Sequence, residues 1–119
     1  MRDYKKLEVW NMAVDLSVEV YQATSVFPKT ELYGITSQIQ RAVISIPSNI
    51  SEGAGRETEK QFSQYLHFAY GSACELETQL IIANRLEYLC DDSFNSITEK
   101  LIHLQKKIFN LNKLLNKQS

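Results

Sequence analysis

A chain of 119 residues is long enough for one domain with one modest core. Its 44% apolar and 23% charged residues exclude a disordered chain, and a net charge of −1 is not the strong positive excess of a dedicated nucleic-acid binder. The longest apolar run, Leu80-Ile81-Ile82-Ala83, falls far short of a membrane span, and no apolar segment follows the start at Met1-Arg2-Asp3-Tyr4-Lys5-Lys6, so no membrane role and a cytoplasmic location are expected. Cys74 and Cys90 fit no metal spacing and read most simply as reduced, buried thiols.

Helical periodicity organises the rest. The first helix is expected over about 4–24, with Leu7, Trp10, Val14 and Tyr21 on one stripe and Glu8, Asn11, Asp15, Glu19 and Gln22 in a narrow polar wedge. Ser25-Val26-Phe27-Pro28 ends it, because proline cannot continue the ladder. The second helix is expected from Glu31 with Thr30 as N-cap, and Leu32, Ile35, Ile39, Val43, Ile46 and Ile50 step along one face. Pro47 removes one hydrogen bond, to the Val43 carbonyl, yet the apolar register continues past it; the expectation is one continuous, kinked helix stopped by Gly53 and Gly55.

Thr58-Glu59-Lys60-Gln61 spells a capping box for the third helix, expected to reach Leu89 with Phe62, Leu66, Ala69, Ala73, Leu76, Leu80 and Ala83 inward. Asp92 or Ser93 should cap the fourth, whose Phe94, Ile97, Leu101, Leu104, Ile108, Leu111 and Leu115 form a heptad seam. The reading is a single all-α domain over residues 1–119, an antiparallel up-and-down four-helix bundle with a proline-kinked second helix.

More apolar surface remains than one bundle face requires. Val9, Met12, Leu16 and Val20 fall off the first stripe of helix 1, and Phe68, Ile81, Ile82 and Leu86 fall off the core stripe of helix 3. Together they are the candidate interface of a homo-oligomer, against the plainer reading that wide faces simply serve a compact core. Gly71, mid-helix and off the core stripe, is either a close approach by another backbone or a tolerated glycine.

No catalytic chemistry is evident. A di-iron bundle needs paired Glu-x-x-His motifs, and neither His67 nor His103 has a glutamate three residues before it. There is no nucleophile elbow, and Gly53-Ala54-Gly55 follows no strand, so it is not a phosphate loop. No enzyme activity, cofactor, metal or small-molecule substrate is expected. Basic residues are the remaining candidates. From Glu99 to Ser119 there are five lysines and one glutamate, with Lys106, Lys113 and Lys117 opposite the seam; Arg41, Arg56 and Lys60 lie near acidic neighbours. A solvated face and a contact with nucleic acid both fit this pattern.

Leu32-Tyr33-Gly34-Ile35, then Gln38 to Ala42, then the Pro-centred run from Ser45 to Arg56, together with Gly71 to Glu77 and Leu7-Glu8-Val9-Trp10, form a distinctive set. The chain resembles the four-helix-bundle proteins encoded in intervening sequences of bacterial 23S ribosomal RNA. That resemblance implies a bacterial, non-enzymatic bundle assembling as a ring-shaped homopentamer. It also implies association with structured RNA or other nucleic acid, as in the related accessory proteins of diversity-generating retroelements. The sequence departs from the family at Gln40-Arg41, where two basic residues are usual. An assembly or adaptor role with a protein partner is the alternative.

Overall fold

A computed structural model of the chain describes residues 2–118. Four helices follow one another: α1 (Glu8–Thr24), α2 (Ile35–Ala54), α3 (Glu59–Arg85) and α4 (Asp91–Gln118), with short 3-10 turns at Tyr4–Lys6 and Lys29–Glu31. They pack into a rod 46 × 23 × 20 Å. Side-chain pairings run in opposite numerical order on neighbouring helices. Ser17 of α1 meets Val43 of α2, whereas Thr24 meets Gln40. Ser63 of α3 meets Asn112 of α4, whereas Glu77 meets Gln105. Glu8 pairs with Lys107 and Glu19 with Lys100, closing α1 against α4.

The α4 seam behaves as its heptad predicts. Ile97, Leu101, Leu104, Ile108 and Leu115 are buried, and Phe94 and Leu111 are partly buried against the same core. The α3 stripe from Phe62 to Ala83 is buried as well. Thr58 Oγ1 accepts from the Gln61 N–H at 3.1 Å and Gln61 Oε1 accepts from the Thr58 N–H at 3.4 Å, so the capping box forms. Helix α3 ends earlier than expected, at Arg85. Glu87 takes φ of 65°, and the Tyr88 N–H reaches back to the Ala83 carbonyl while the Glu87 N–H bonds that of Asn84. This left-handed exit satisfies the last carbonyls and turns the chain before Leu89.

Helix α1 is rotated from its expected setting. Its buried face is Val9, Ala13, Leu16, Ser17, Val20 and Thr24, while Val14 is only partly buried and Tyr21 is exposed. Close packing chooses this register over its rival. Small side chains at Ala13, Ser17 and Thr24 let α1 approach α2 closely, and the Glu8 and Glu19 carboxylates come beside Lys107 and Lys100 of α4. Lys107 holds the Glu8 carboxyl below the usual carboxylate range.

Helix α2 begins at Ile35 rather than Glu31. Gly34 precedes it with no side-chain cap, and Leu32 is 51% exposed outside the core. The helix continues through Pro47 without interruption. Proline leaves the Val43 carbonyl without its helical donor. Ser17 Oγ lies 3.3 Å from that carbonyl and 2.8 Å from its own Ala13 carbonyl, so one hydroxyl hydrogen serves both. Ser17→Ala should cost roughly 1–2 kcal/mol. In a Pro47→Ala background the returned N–H satisfies Val43, and the same change should cost less. Equal costs in urea melts of both backgrounds would show that the shared bond contributes nothing.

Candidate functional site

The near-neutral total conceals a strong separation of charge. The pairings Ser63–Asn112, Glu8–Lys107 and Ser17–Val43 place residues 2–12, 48–72 and 105–118 in one half of the rod. That half carries nine Lys/Arg against five Asp/Glu, a net side-chain charge of +4; the other half carries four against nine, a net of −5. Helix dipoles account for part of this, since Asp91 and Asp92 open α4 and Lys117 closes it.

Within the basic half, two cations are matched locally: Arg2 with Glu59 at 2.5 Å and Lys107 with Glu8 at 2.9 Å. Among the described residues, Lys5, Lys6, Lys60, Lys106, Lys113 and Lys117 have no carboxylate partner. Arg56 lies with its guanidinium 4.9 Å from the Tyr65 ring centroid and donates to the Tyr65 hydroxyl at 2.7 Å. Helix repeat puts Lys60 on the same stripe of α3 as exposed His67, two turns away. Five of the six basic residues singled out from sequence therefore share one half of the molecule. Arg41, midway along α2, lies outside it.

On the outside of α3 and α4 the basic half opens two adjoining hollows. One, of about 500 Å³, is lined by His67, Tyr70, Phe109, Lys113 and Lys117 over a floor that includes Leu66 and Ile108. The other, of about 480 Å³, is lined by Tyr70, Ile102, Lys106, Phe109 and Asn110. Tyr70 and Phe109, with ring centroids 6.3 Å apart, belong to both. Sequence inspection missed Phe109. Its available signal was position: it flanks the α4 seam on the side of Lys106 and Lys113.

The expected apolar interface is redistributed. Val9, Leu16 and Val20 are buried in this chain's own core and are withdrawn as contacts for a second chain; Met12 and Ile81 are partly buried. Phe68, Ile82 and Leu86 are exposed, but Phe68 lies fourteen residues, about 21 Å, from Ile82 along α3. Phe68 instead meets Tyr65 edge-on. The outward apolar residues of α1 are Val18 and Tyr21, with Ile44 of α2 beyond the Ser17–Val43 contact. A second group, Val26, Leu32, Tyr33, Ile82 and Leu86, lies towards the acidic end, where Tyr88 packs on Phe27.

A Cβ on Gly71 would meet nothing within 4 Å. Gly71→Ala should thus raise stability by about 1 kcal/mol through helix propensity alone. Loss of assembled mass in that variant would reveal a second backbone against this face.

Both cysteines are exposed, not buried as expected. Hydrogen bonds from the Ser93 hydroxyl and backbone hold the Cys90 thiol below its usual range. Among the described residues, no group of three or more His, Cys, Asp or Glu could hold a metal ion, and no helix is long and apolar enough to cross a membrane.

Comparison with known proteins agrees with this architecture. A crystal structure of a protein of unknown function from the S23 ribosomal protein family of Bacteroides thetaiotaomicron VPI-5482 is similar, with a TM-score of 0.82. The likeness covers 88% of this chain and 95% of that one at 23% identity, and at that identity it speaks for the fold alone. No curated protein matches the chain. The model of the 23S rRNA-intervening sequence protein family matches residues 5–110, most of the bundle, and the chain belongs to that family.

Proposed function

We propose that the protein is a non-catalytic, self-associating bundle of the cytoplasm that presents its basic half to structured RNA. The separation of charge carries this reading. A polyanion approaching the molecule meets a half with net charge +4 and, among the described residues, six lysines without a carboxylate partner, although the whole chain is slightly acidic. Counterion release then supplies affinity without any particular sequence being read. The exposed apolar groups on α1/α2 and at the acidic end offer surface outside this half for assembly of several copies. Five copies is the number the family resemblance implies.

The test is titration of the full chain with a structured ribosomal RNA fragment across a salt series, with mass measured by light scattering. Affinity should fall steeply with salt. Lys60→Glu should weaken binding and flatten the slope, and Arg41→Glu, outside the basic half, should leave both unchanged. Absence of binding at low salt would overturn the RNA reading and leave the protein-partner alternative. A mass of 13.7 kDa at micromolar concentration would overturn self-association.

A further inference from the structure

The basic half holds more than charge. Phe109 is 57% exposed and Tyr70 is 36% exposed, side by side where the two adjoining hollows meet, together the α3/α4 trough. A large aromatic left in water at that level is unfavourable unless something covers it. Lys106, Lys113 and Lys117 rim the same trough, spanning eleven residues or about 16 Å of α4. None of the three has an acid partner among the described residues. An apolar occupant would satisfy the rings and leave the lysines idle, and a duplex would satisfy the lysines and leave the rings uncovered.

We propose that the α3/α4 trough binds a single-stranded stretch of nucleic acid, with unstacked bases against Tyr70 and Phe109 and phosphates on Lys106, Lys113 and Lys117. Base faces are available only where the strand is unpaired, so the site selects loops, bulges or ends over helix. The apolar floor under the rings, formed in part by Leu66 and Ile108, keeps them in place as a platform. Exposed Asn110 and His67 supply hydrogen-bonding groups at the margins. The proposal rests on the RNA reading above and adds to it which form of the polymer is held, and where.

The experiment uses the full chain and fluorescence anisotropy with labelled oligo(U) and oligo(A) RNA, the paired U·A duplex, and single-stranded DNA of matching length. Single strands should bind at least several-fold more tightly than the duplex, and RNA against DNA measures the contribution of the 2′-hydroxyl. Tyr70→Ala and Phe109→Ala should each weaken single-strand binding by roughly 5-fold or more at an unchanged salt slope. Joint charge reversal of the three lysines should lower affinity and flatten the slope. Both rings are exposed, so circular dichroism should show intact helices. Duplex binding as tight as single-strand binding, or aromatic variants that bind like the parent, would overturn this proposal and leave RNA association standing. Failure of every nucleic acid to bind would overturn both. A drop in assembled mass on Phe109→Ala, with nucleic-acid affinity unaltered, would assign the trough to a second copy of the chain.

Discussion

Gly53→Ala should destabilise the protein by roughly 1–3 kcal/mol, although alanine is the better helix former. Gly53 lies in the last turn of α2, where the chain is about to reverse into α3. A Cβ there would come 2.5 Å from Tyr65 Cβ and 3.0 Å from a ring carbon of Phe62. Tyr65 Cβ is attached directly to the backbone, so no rotamer change relieves the clash. The start of α3 must move away from the end of α2. Phe62 is 2% exposed and takes part in the main core, so that movement loosens packing beyond the turn. Tyr65 also carries Arg56 by ring contact and hydrogen bond, so the basic half would lose part of its geometry. The control is Gly71→Ala, the same chemical change with the opposite expected sign. A Gly53→Ala protein that melts at or above the parent temperature would show that the α2–α3 approach is not tight.

How far the sequence alone reaches depends on which interaction chooses the outcome. Helix α4 was legible because its seam is the only apolar stripe that the surrounding polar residues allow. Helix α1 was not. It is apolar over most of its circumference, so periodicity admits two registers, and Ala13, Ser17 and Thr24 decide between them through close contact with α2. A hydrophobicity pattern undervalues such small and hydroxylated residues. The start of α2 was misplaced for a related reason. Leu32 fits the stripe by spacing, but it belongs to the turn before Gly34 and stays exposed.

The basic site was concealed by addition. Lys106, Lys113 and Lys117 were visible as a patch on α4, but a sum over the whole chain set them against acids that the fold carries to the far end of the rod. Only the antiparallel pairing brings Arg56 and Lys60, fifty residues earlier, into the same half as the end of α4. The pairing of Tyr70 with Phe109 was less legible still, because the two rings come from different helices.

The second large effect is expected at Ser63 and Asn112, both 7% exposed between α3 and α4. Ser63 Oγ donates to Asn112 Oδ1 at 2.5 Å, and Asn112 Nδ2 donates to the Ser63 carbonyl at 3.4 Å. This pair costs desolvation on both sides, and replacing it by well-packed apolar groups should be nearly neutral or stabilising. Removing one partner is different. Ser63→Ala should cost roughly 1–3 kcal/mol, because the buried Asn112 oxygen loses its donor. Asn112→Leu should cost less, since the Ser63 hydroxyl can turn towards Asn116 Oδ1, 3.4 Å away. The double variant, Ser63→Ala with Asn112→Leu, should be more stable than the sum of the singles predicts, with a coupling above about 0.5 kcal/mol in a urea-denaturation cycle. Strict additivity would mean that the two side chains act independently. What the polar pair then contributes is register: sliding α3 by one turn against α4 would bury both amide and hydroxyl unpaired. The double variant tests that role too, because an apolar contact at this level no longer penalises the slipped alignment.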